Sequence, residues 1–211
     1  MGHAGAAAAA VRYLRSAGAP APVEALPRPE LRCVGEDERA PLDQTEFRRV
    51  LGTFATGVTV VTAPTADGEA GPAGFACQSF SSLSLEPPLI AFMVGRTSTT
   101  WPRIARAGVF CVNVLGAHQG DLCRGFAVSG TDKFAGVPYD AAPCSGSPRL
   151  AGATAWVDCT IHAVHTGGDH LIVVGRVDAL GAGEPPDGPL IFHRGRFGRL
   201  HEGPDGGRPP Q

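Results

Sequence analysis

Ala155-Trp156-Val157-Asp158-Cys159-Thr160-Ile161-His162-Ala163-Val164 and His170-Leu171-Ile172-Val173-Val174-Gly175-Arg176-Val177-Asp178-Ala179-Leu180 are the runs on which the fold class turns. Both are rich in β-branched residues, which pack well on a pleated sheet. Only a short segment ending in Gly167-Gly168-Asp169 separates them, too little for a crossover helix. The same texture recurs upstream. Gly57-Val58-Thr59-Val60-Val61-Thr62 reads as a strand, ended by Pro64 and the turn Asp67-Gly68. Leu89 to Val94 and Val109 to Leu115 read as buried strands, and Leu190 to Phe197 as the last one. Gly74 to Leu85 is small and hydroxyl-rich and stops at Pro87-Pro88. Asp43 and Glu46, three apart, form a capping box before Phe47, Val50, Leu51 and Phe54, so a short amphipathic helix is predicted there. Two more short helices are predicted, through Ile104 to Ala107 and over Asp121 to Ala127, and Gly130 to Gly146 reads as irregular. Six or seven strands with three short helices and no βαβ alternation make a mainly β protein, an antiparallel barrel or sandwich.

Composition agrees. The chain has 211 residues with 43% hydrophobic and 18% charged, enough to bury a core without disulfides or metals. Gly 29 and Pro 19 are together about twice the ordinary share, which suits a turn-rich β protein and not a helical bundle. A formal net charge of -2 argues against a basic nucleic-acid-binding face. No apolar run approaches the ~20 residues of a membrane span. There is no G-x-G-x-x-G and no Walker loop. The six cysteines (Cys33, Cys77, Cys111, Cys123, Cys144, Cys159) show no C-x-x-C and no zinc spacing, so buried free thiols in a reducing cytoplasm are expected. Residues 1–40, Ala/Gly-rich and then Pro-rich, read as a loose or disordered arm, residues 41–201 as the folded domain, and residues 202–211 as a flexible tail.

Five constellations could carry chemistry. Gly74 to Pro88 holds four serines between apolar residues. It reads as a strand with one wet face, or as a strand whose amides and hydroxyls line a flat polar heterocycle. Arg96-Thr97-Ser98-Thr99-Thr100-Trp101-Pro102 reads as a helix cap with more hydroxyls than a cap needs, hence a phosphate site. Thr131-Asp132-Lys133-Phe134 carries the only lysine of a chain whose other cations are all arginine. It is a surface ion pair or a cation for an anionic ligand. Gly167-Gly168-Asp169-His170 is a hairpin turn, or a device holding an imidazole at a cleft rim. His193-Arg194-Gly195-Arg196-Phe197 on the last strand places two arginines on one face, as edge protection or as an anion-binding rim. His162 and His165, three apart on a strand, face opposite ways and make poor co-ligands for a metal.

Taken in order, these stretches resemble a known family. Thr56 to Thr62, Gln78-Ser79-Phe80-Ser81-Ser82-Leu83-Ser84-Leu85-Glu86-Pro87-Pro88, Ser98-Thr99-Thr100-Trp101, Val112-Asn113-Val114-Leu115, Asp132-Lys133-Phe134, Gly168-Asp169-His170 and Pro189 to Gly195 are together similar to the flavin reductase-like family, across about Phe47 to Leu200. Its members are reductase components of two-component flavin-dependent monooxygenases. The resemblance implies an FMN-binding split β-barrel, a homodimer, NADH or NADPH as hydride donor, FMN or FAD as acceptor, and a separate oxygenase receiving reduced flavin. It implies that Gln78, Ser79, Phe80 and Ser81 contact the isoalloxazine or ribityl group and that Ser98, Thr99 and Thr100 bind phosphate. Asn113, Lys133 and Phe134 would complete the flavin pocket. His170 would meet the nicotinamide, with His193 and Arg194 nearby. Ala76 and Cys77-Gln78 stand where family members often carry Thr and small hydroxyl residues. The expected activity is NAD(P)H-dependent reduction of free flavin. The alternatives are a non-catalytic flavin carrier, or a split-barrel oxidoreductase with fixed flavin acting on a small organic substrate. Hydride passes directly between the two cofactors, so no nucleophile or metal is required of the protein.

Overall fold

The computed structural model of the chain describes residues 42–130, 132–183 and 188–200. The arm expected over residues 1–40 and the tail over residues 202–211 lie outside the described residues, as does Thr131. The elements in chain order are α1 (Gln44–Leu51), β1 (Thr56–Gly57), β2 (Thr59–Ala63), β3 (Ala73–Cys77), β4 (Ser81–Leu85), β5 (Pro88–Gly95), α2 (Trp101–Ala107), β6 (Val109–Val114), α3 (Gly120–Ala127), β7 (Tyr139–Ala141), β8 (Pro148–Leu150), β9 (Ala155–Gly167), β10 (His170–Ala182), β11 (Leu190–His193) and β12 (Arg196–Arg199). The protein is mainly β with few helices, as its sequence predicts.

Seven strands form one antiparallel sheet in the order β3-β2-β6-β9-β10-β5-β4. Its two long central strands are the runs quoted above, paired from His170 opposite Gly167 to Ala182 opposite Ala155. Gly168, at φ 67°, makes the tight connection between them. Gly175 on β10 is required for a different reason: a Cβ there would lie 2.4 Å from the Phe110 ring. β1, β11 and β12 form a second sheet, and β7 and β8 a third.

β2 is buried along its whole length because both of its faces are covered. Val61 and Ala63 face a core built on Phe92, Phe110, Val112, Ile104 and Val173, with Phe92 and Phe110 edge to face at 5.2 Å. Val60, with Val58 just before the strand, faces a second core of Leu115, Cys123, Phe126, Leu150 and Leu190. Each fully buried phenylalanine contributes roughly 1.5–3 kcal/mol.

Five local readings change. The Gly74 to Leu85 stretch is two strands, because residues 78–80 leave the sheet between β3 and β4. The stretch from Leu190 to Phe197 is a hairpin: Arg194 and Gly195 both take positive φ, 49° and 77°, so Arg194 and Arg196 do not share a strand face. The segment expected to be irregular contains β7, paired with β8, where Tyr139 lies opposite Leu150. The capping box is half made. Asp43 accepts from the Thr45 N–H at 3.0 Å, but Glu46 pairs with Arg49 instead of turning back. The apolar side of α1 is also not where amphipathicity would put it: Phe47 is 52% exposed and Leu51 55%, and Phe54 after the helix is exposed too.

Candidate functional site

β3 and β4 are the two edges of the large sheet, and residues 78–80 join them. Here a side chain does what a strand would do. The Ser79 hydroxyl accepts from the Met93 N–H at 2.8 Å and donates to the Met93 carbonyl at 3.0 Å, tying the connection to β5. The Cys77 thiol lies 3.2 Å from the same hydroxyl, and burial pushes that thiol upward and keeps it protonated. Beside this clasp is a cleft of about 380 Å³ lined by Gln78, Ser79, Met93, Gly95, Ser98 and His170, among others.

Each side chain is held in the cleft by local structure. His170 is the first residue of β10 and pairs with both Gly95 and Gly167. Its Nδ1 lies 2.8 Å from the Asp169 carboxylate, and the Asp169 backbone carbonyl accepts from the Arg96 N–H at 3.0 Å. With Nδ1 at the carboxylate, Nε2 is the ring nitrogen left open to a ligand. A Cβ on Gly95 would lie 3.9 Å from Nε2, in ordinary contact, so Gly95 stands beside that nitrogen. The hydrogen bond from His170 holds the Asp169 carboxyl below its ordinary value. The Ser98 hydroxyl accepts from the Trp101 N–H at 3.2 Å and caps α2 from outside. Thr100, which occupies the cap position itself, makes no side-chain capping bond. Its hydroxyl, like that of Thr99, is not consumed by the helix.

Thr99 and Thr100 line a second and larger cavity, about 690 Å³, together with Gly74, Arg103, Lys133, Phe134 and Tyr139. The two spaces draw on the same two segments of chain. Gly74 lines the cavity and Phe75 the cleft, while Ser98 lines the cleft and Thr99 the cavity. Lys133 donates to the Gly74 carbonyl at 3.2 Å and the Phe126 carbonyl at 3.0 Å. Burial, with the Arg103 charge adding to it, lowers the ammonium's affinity for its proton. Phe134 stands edge to face with Phe126 at 5.0 Å and with Tyr139 at 5.6 Å.

Other predicted site residues lie elsewhere. Phe80 packs on the first core, and the Ser81 hydroxyl donates to the Ser82 carbonyl at 3.0 Å; neither lines the cleft. Asn113 is fully buried. Its amide donates to Val60 O, Thr62 Oγ1 and Pro148 O, and its Oδ1 accepts from the Leu150 N–H at 2.8 Å. These bonds hold β8 against β2 and β6, and Asn113 lines neither the cleft nor the larger cavity described above. His193 and Arg194 close the β11–β12 turn, and Arg194 lines a separate pocket with Arg48, Arg49 and Gly52. Arg103 and Tyr139 were missed. Neither belongs to a sequence motif, and both reach the cavity only through folding.

The residues fit a flavin. Gln78 is exposed with no hydrogen-bond partner among the described residues, β3 is a sheet edge with backbone groups facing no strand, and Lys133 has no carboxylate partner among the described residues. A flat hydrogen-bonding ring and an anionic tail are what such groups would take. Among the described residues no group of His, Cys, Asp and Glu could hold a metal ion.

Comparison with known proteins bears on the same conclusion. Residues 51–201 match the family model described as flavin reductase like domain. The chain is similar to a flavin reductase of Pseudomonas putida, 46% identical over 167 residues, or 79% of this chain and 96% of that protein. It is similar to the reductase subunit of a flavin-dependent monooxygenase from Rhodococcus jostii, 47% identical over 156 residues, or 74% of this chain and 77% of that one. A solved NADH:FAD oxidoreductase from Streptomyces globisporus, in complex with NAD and FAD fragments, superposes with a TM-score of 0.71 at 38% identity, covering 80% of this chain and 100% of that one.

Proposed function

Because the chain belongs to the flavin reductase-like family, and is thereby an oxidoreductase that reduces FMN or FAD with NADH, we propose that the Ser79–His170 cleft is where the two cofactors meet. The observation that carries this reading is the convergence of Gln78, Ser79, Ser98 and His170, distant in sequence, on one cleft. Bound flavin supplies the hydride acceptor and bound NADH the donor. Gln78 and the edge of β3 hold the ring, and Ser79 holds their backbone in place. Thr99, Thr100 and Lys133 hold phosphate. His170, fixed by Asp169, offers Nε2 as acceptor to the carboxamide N–H of the nicotinamide and positions its ring. The family's split barrel accords with a sheet whose two edge strands are joined by residues 78–80 and clasped by Ser79. A second copy of the chain accords with the exposed Phe47, Val50 and Leu51 on α1 and Phe54 just after it. Reduced flavin passes to a separate oxygenase, as in relatives named monooxygenase reductase subunits. A cytoplasmic setting accords with the free thiols of Cys77, Cys111, Cys123, Cys144 and Cys159, and no helix among the described residues is long and apolar enough to cross a membrane.

The test is NADH oxidation by purified protein with and without added FMN, FAD and riboflavin. Flavin-dependent turnover is expected. Turnover independent of added flavin by a protein that carries none would remove the reading.

A further inference from the structure

Met93 stands out in its strand. Phe92 before it and Val94 after it are buried, yet Met93 is 41% exposed and lines the cleft. Both of its backbone polar groups are taken by the Ser79 hydroxyl. They face residues 78–80 and not β10, so Met93 and Ile172 are a non-hydrogen-bonded pair, the kind in which side chains come closest. The Arg96 N–H donates to the Asp169 carbonyl, so by the same alternation Gly95 and His170 are such a pair too. Residues directly opposite share a sheet face, as do residues two apart. Gly95, His170, Met93 and Ile172 therefore stand on one face, and Gly95, His170 and Met93 line the cleft. Gly95 offers bare backbone beside the imidazole. Met93, backed by the half-buried Ile172, raises an apolar step about 6.8 Å further along the strand. A flat ring laid on Gly95 against His170 has the Met93 thioether beside it.

We propose that Met93 is a contact and specificity-determining residue for the donor in this protein, its thioether packing on the dihydronicotinamide ring that His170 orients. The proposal rests on the cleft being where the two cofactors meet. In the reaction the C4–H bond of the dihydronicotinamide breaks and the flavin takes the hydride with both electrons, so NADH leaves as NAD+ and its ring becomes aromatic and cationic. A polarisable thioether suits both forms of that ring. It carries no strong polar group that would demand a partner in the closed cleft. Ser79 acts through this residue: by bonding the Met93 N–H and carbonyl together it fixes where the thioether begins. No motif marks Met93, because its exposure follows from the place where residues 78–80 leave the sheet.

The experiment is stopped-flow bleaching of flavin over a range of NADH concentrations, on the wild-type protein, Met93→Ser, Met93→Leu and His170→Ala, each saturated with FMN. Flavin titrations without NADH and thermal melts accompany it. Met93→Ser should raise the NADH concentration for half-maximal bleaching by about fivefold, the order of one sulfur–ring contact. Its flavin affinity and melting temperature should stay at the wild-type values. Met93→Leu, which keeps the apolar surface, should recover most of the loss. Should Met93→Ser melt early, Met93→Gln, of similar length with a polar end, takes its place and should show the same loss. Wild-type NADH dependence in the polar variant would overturn the proposal, as would an equal loss of flavin affinity or a Met93→Leu protein as impaired as Met93→Ser. If His170→Ala is impaired and Met93→Ser is not, the role of Met93 fails and the cleft stands. If neither substitution alters the NADH dependence, the reading of the cleft fails with it.

Discussion

Two polar clusters lie on either side of β2 and β3, and they have opposite fates. Around Asn113 every group is matched: its amide serves three acceptors, its carbonyl oxygen receives the Leu150 N–H, and the Thr62 hydroxyl donates to the Pro148 carbonyl at 2.5 Å. Around Gln78 and His170 the groups are held but not consumed. Ser79 and Asp169 fix the geometry, while the Gln78 amide and His170 Nε2 face a cleft. The first cluster joins three strands inside a dry interior, where an unpaired polar atom is costly. The second sits where the sheet fails to close, and there unpaired groups are hydrated until a ligand replaces the water. A satisfied polar network spends its groups on structure, and an anchored but unsatisfied one keeps them open to a ligand.

The sharpest way to break this contrast is Asn113→Ala. It should cost roughly 1–3 kcal/mol of unfolding free energy, because the Leu150 N–H loses its acceptor in the interior and the Val60 and Pro148 carbonyls lose a donor. Flavin affinity of the folded fraction should not move; chemical denaturation paired with a flavin titration reads both. A large loss of flavin affinity in folded protein would return Asn113 to the site.

His170→Ala comes next. It should lower kcat/KM for NADH by up to about a hundredfold, the order of loss for impaired orientation, and leave flavin affinity unchanged. Stopped-flow bleaching of flavin by NADH measures it, and a wild-type trace would reduce Gly167 to His170 to a plain turn.

Lys133→Ala should weaken FMN and FAD by about tenfold, within the range for a hydrogen bond to a charged group, and riboflavin far less, because only riboflavin lacks phosphate. The pH dependence sharpens this. Burial depresses the Lys133 ammonium, so its charge is fully present well below the ordinary lysine range and is lost as pH rises through the lowered value. FMN affinity should therefore fall on the alkaline side before a free lysine would titrate, and Lys133→Arg should remove that fall.

The smallest effect is expected at Asp169. Its carboxyl is held below the ordinary value by His170, so the pair contributes above the usual carboxylate range and is lost as pH falls through the lowered value. Asp169→Asn should raise the NADH KM a few-fold at neutral pH, because Asn can still meet Nδ1, and should flatten the acid limb of the KM profile. An unchanged acid limb would assign it to another group.

Much of this protein follows from local sequence. The β-branched runs on either side of Gly167-Gly168-Asp169 determine the long central hairpin, and the run from Val58 to Thr62 determines a strand buried on both faces, since side-chain stiffness and burial act over a few residues. The motifs containing Ser79, Ser98, Lys133 and His170 are legible for the same reason. What tertiary structure decided is which of these meet, and on what side. It cut the serine-rich stretch into β3 and β4, turned Arg194 away into a hairpin at φ 49°, and spent Asn113 on carbonyls from residues far away in the chain. It also brought Tyr139 and Arg103, which no motif marks, onto the cavity around Lys133. A polar side chain's role depends on whether its surroundings supply a partner, and those surroundings come from strands brought together across the sheet, which neighbouring residues do not encode.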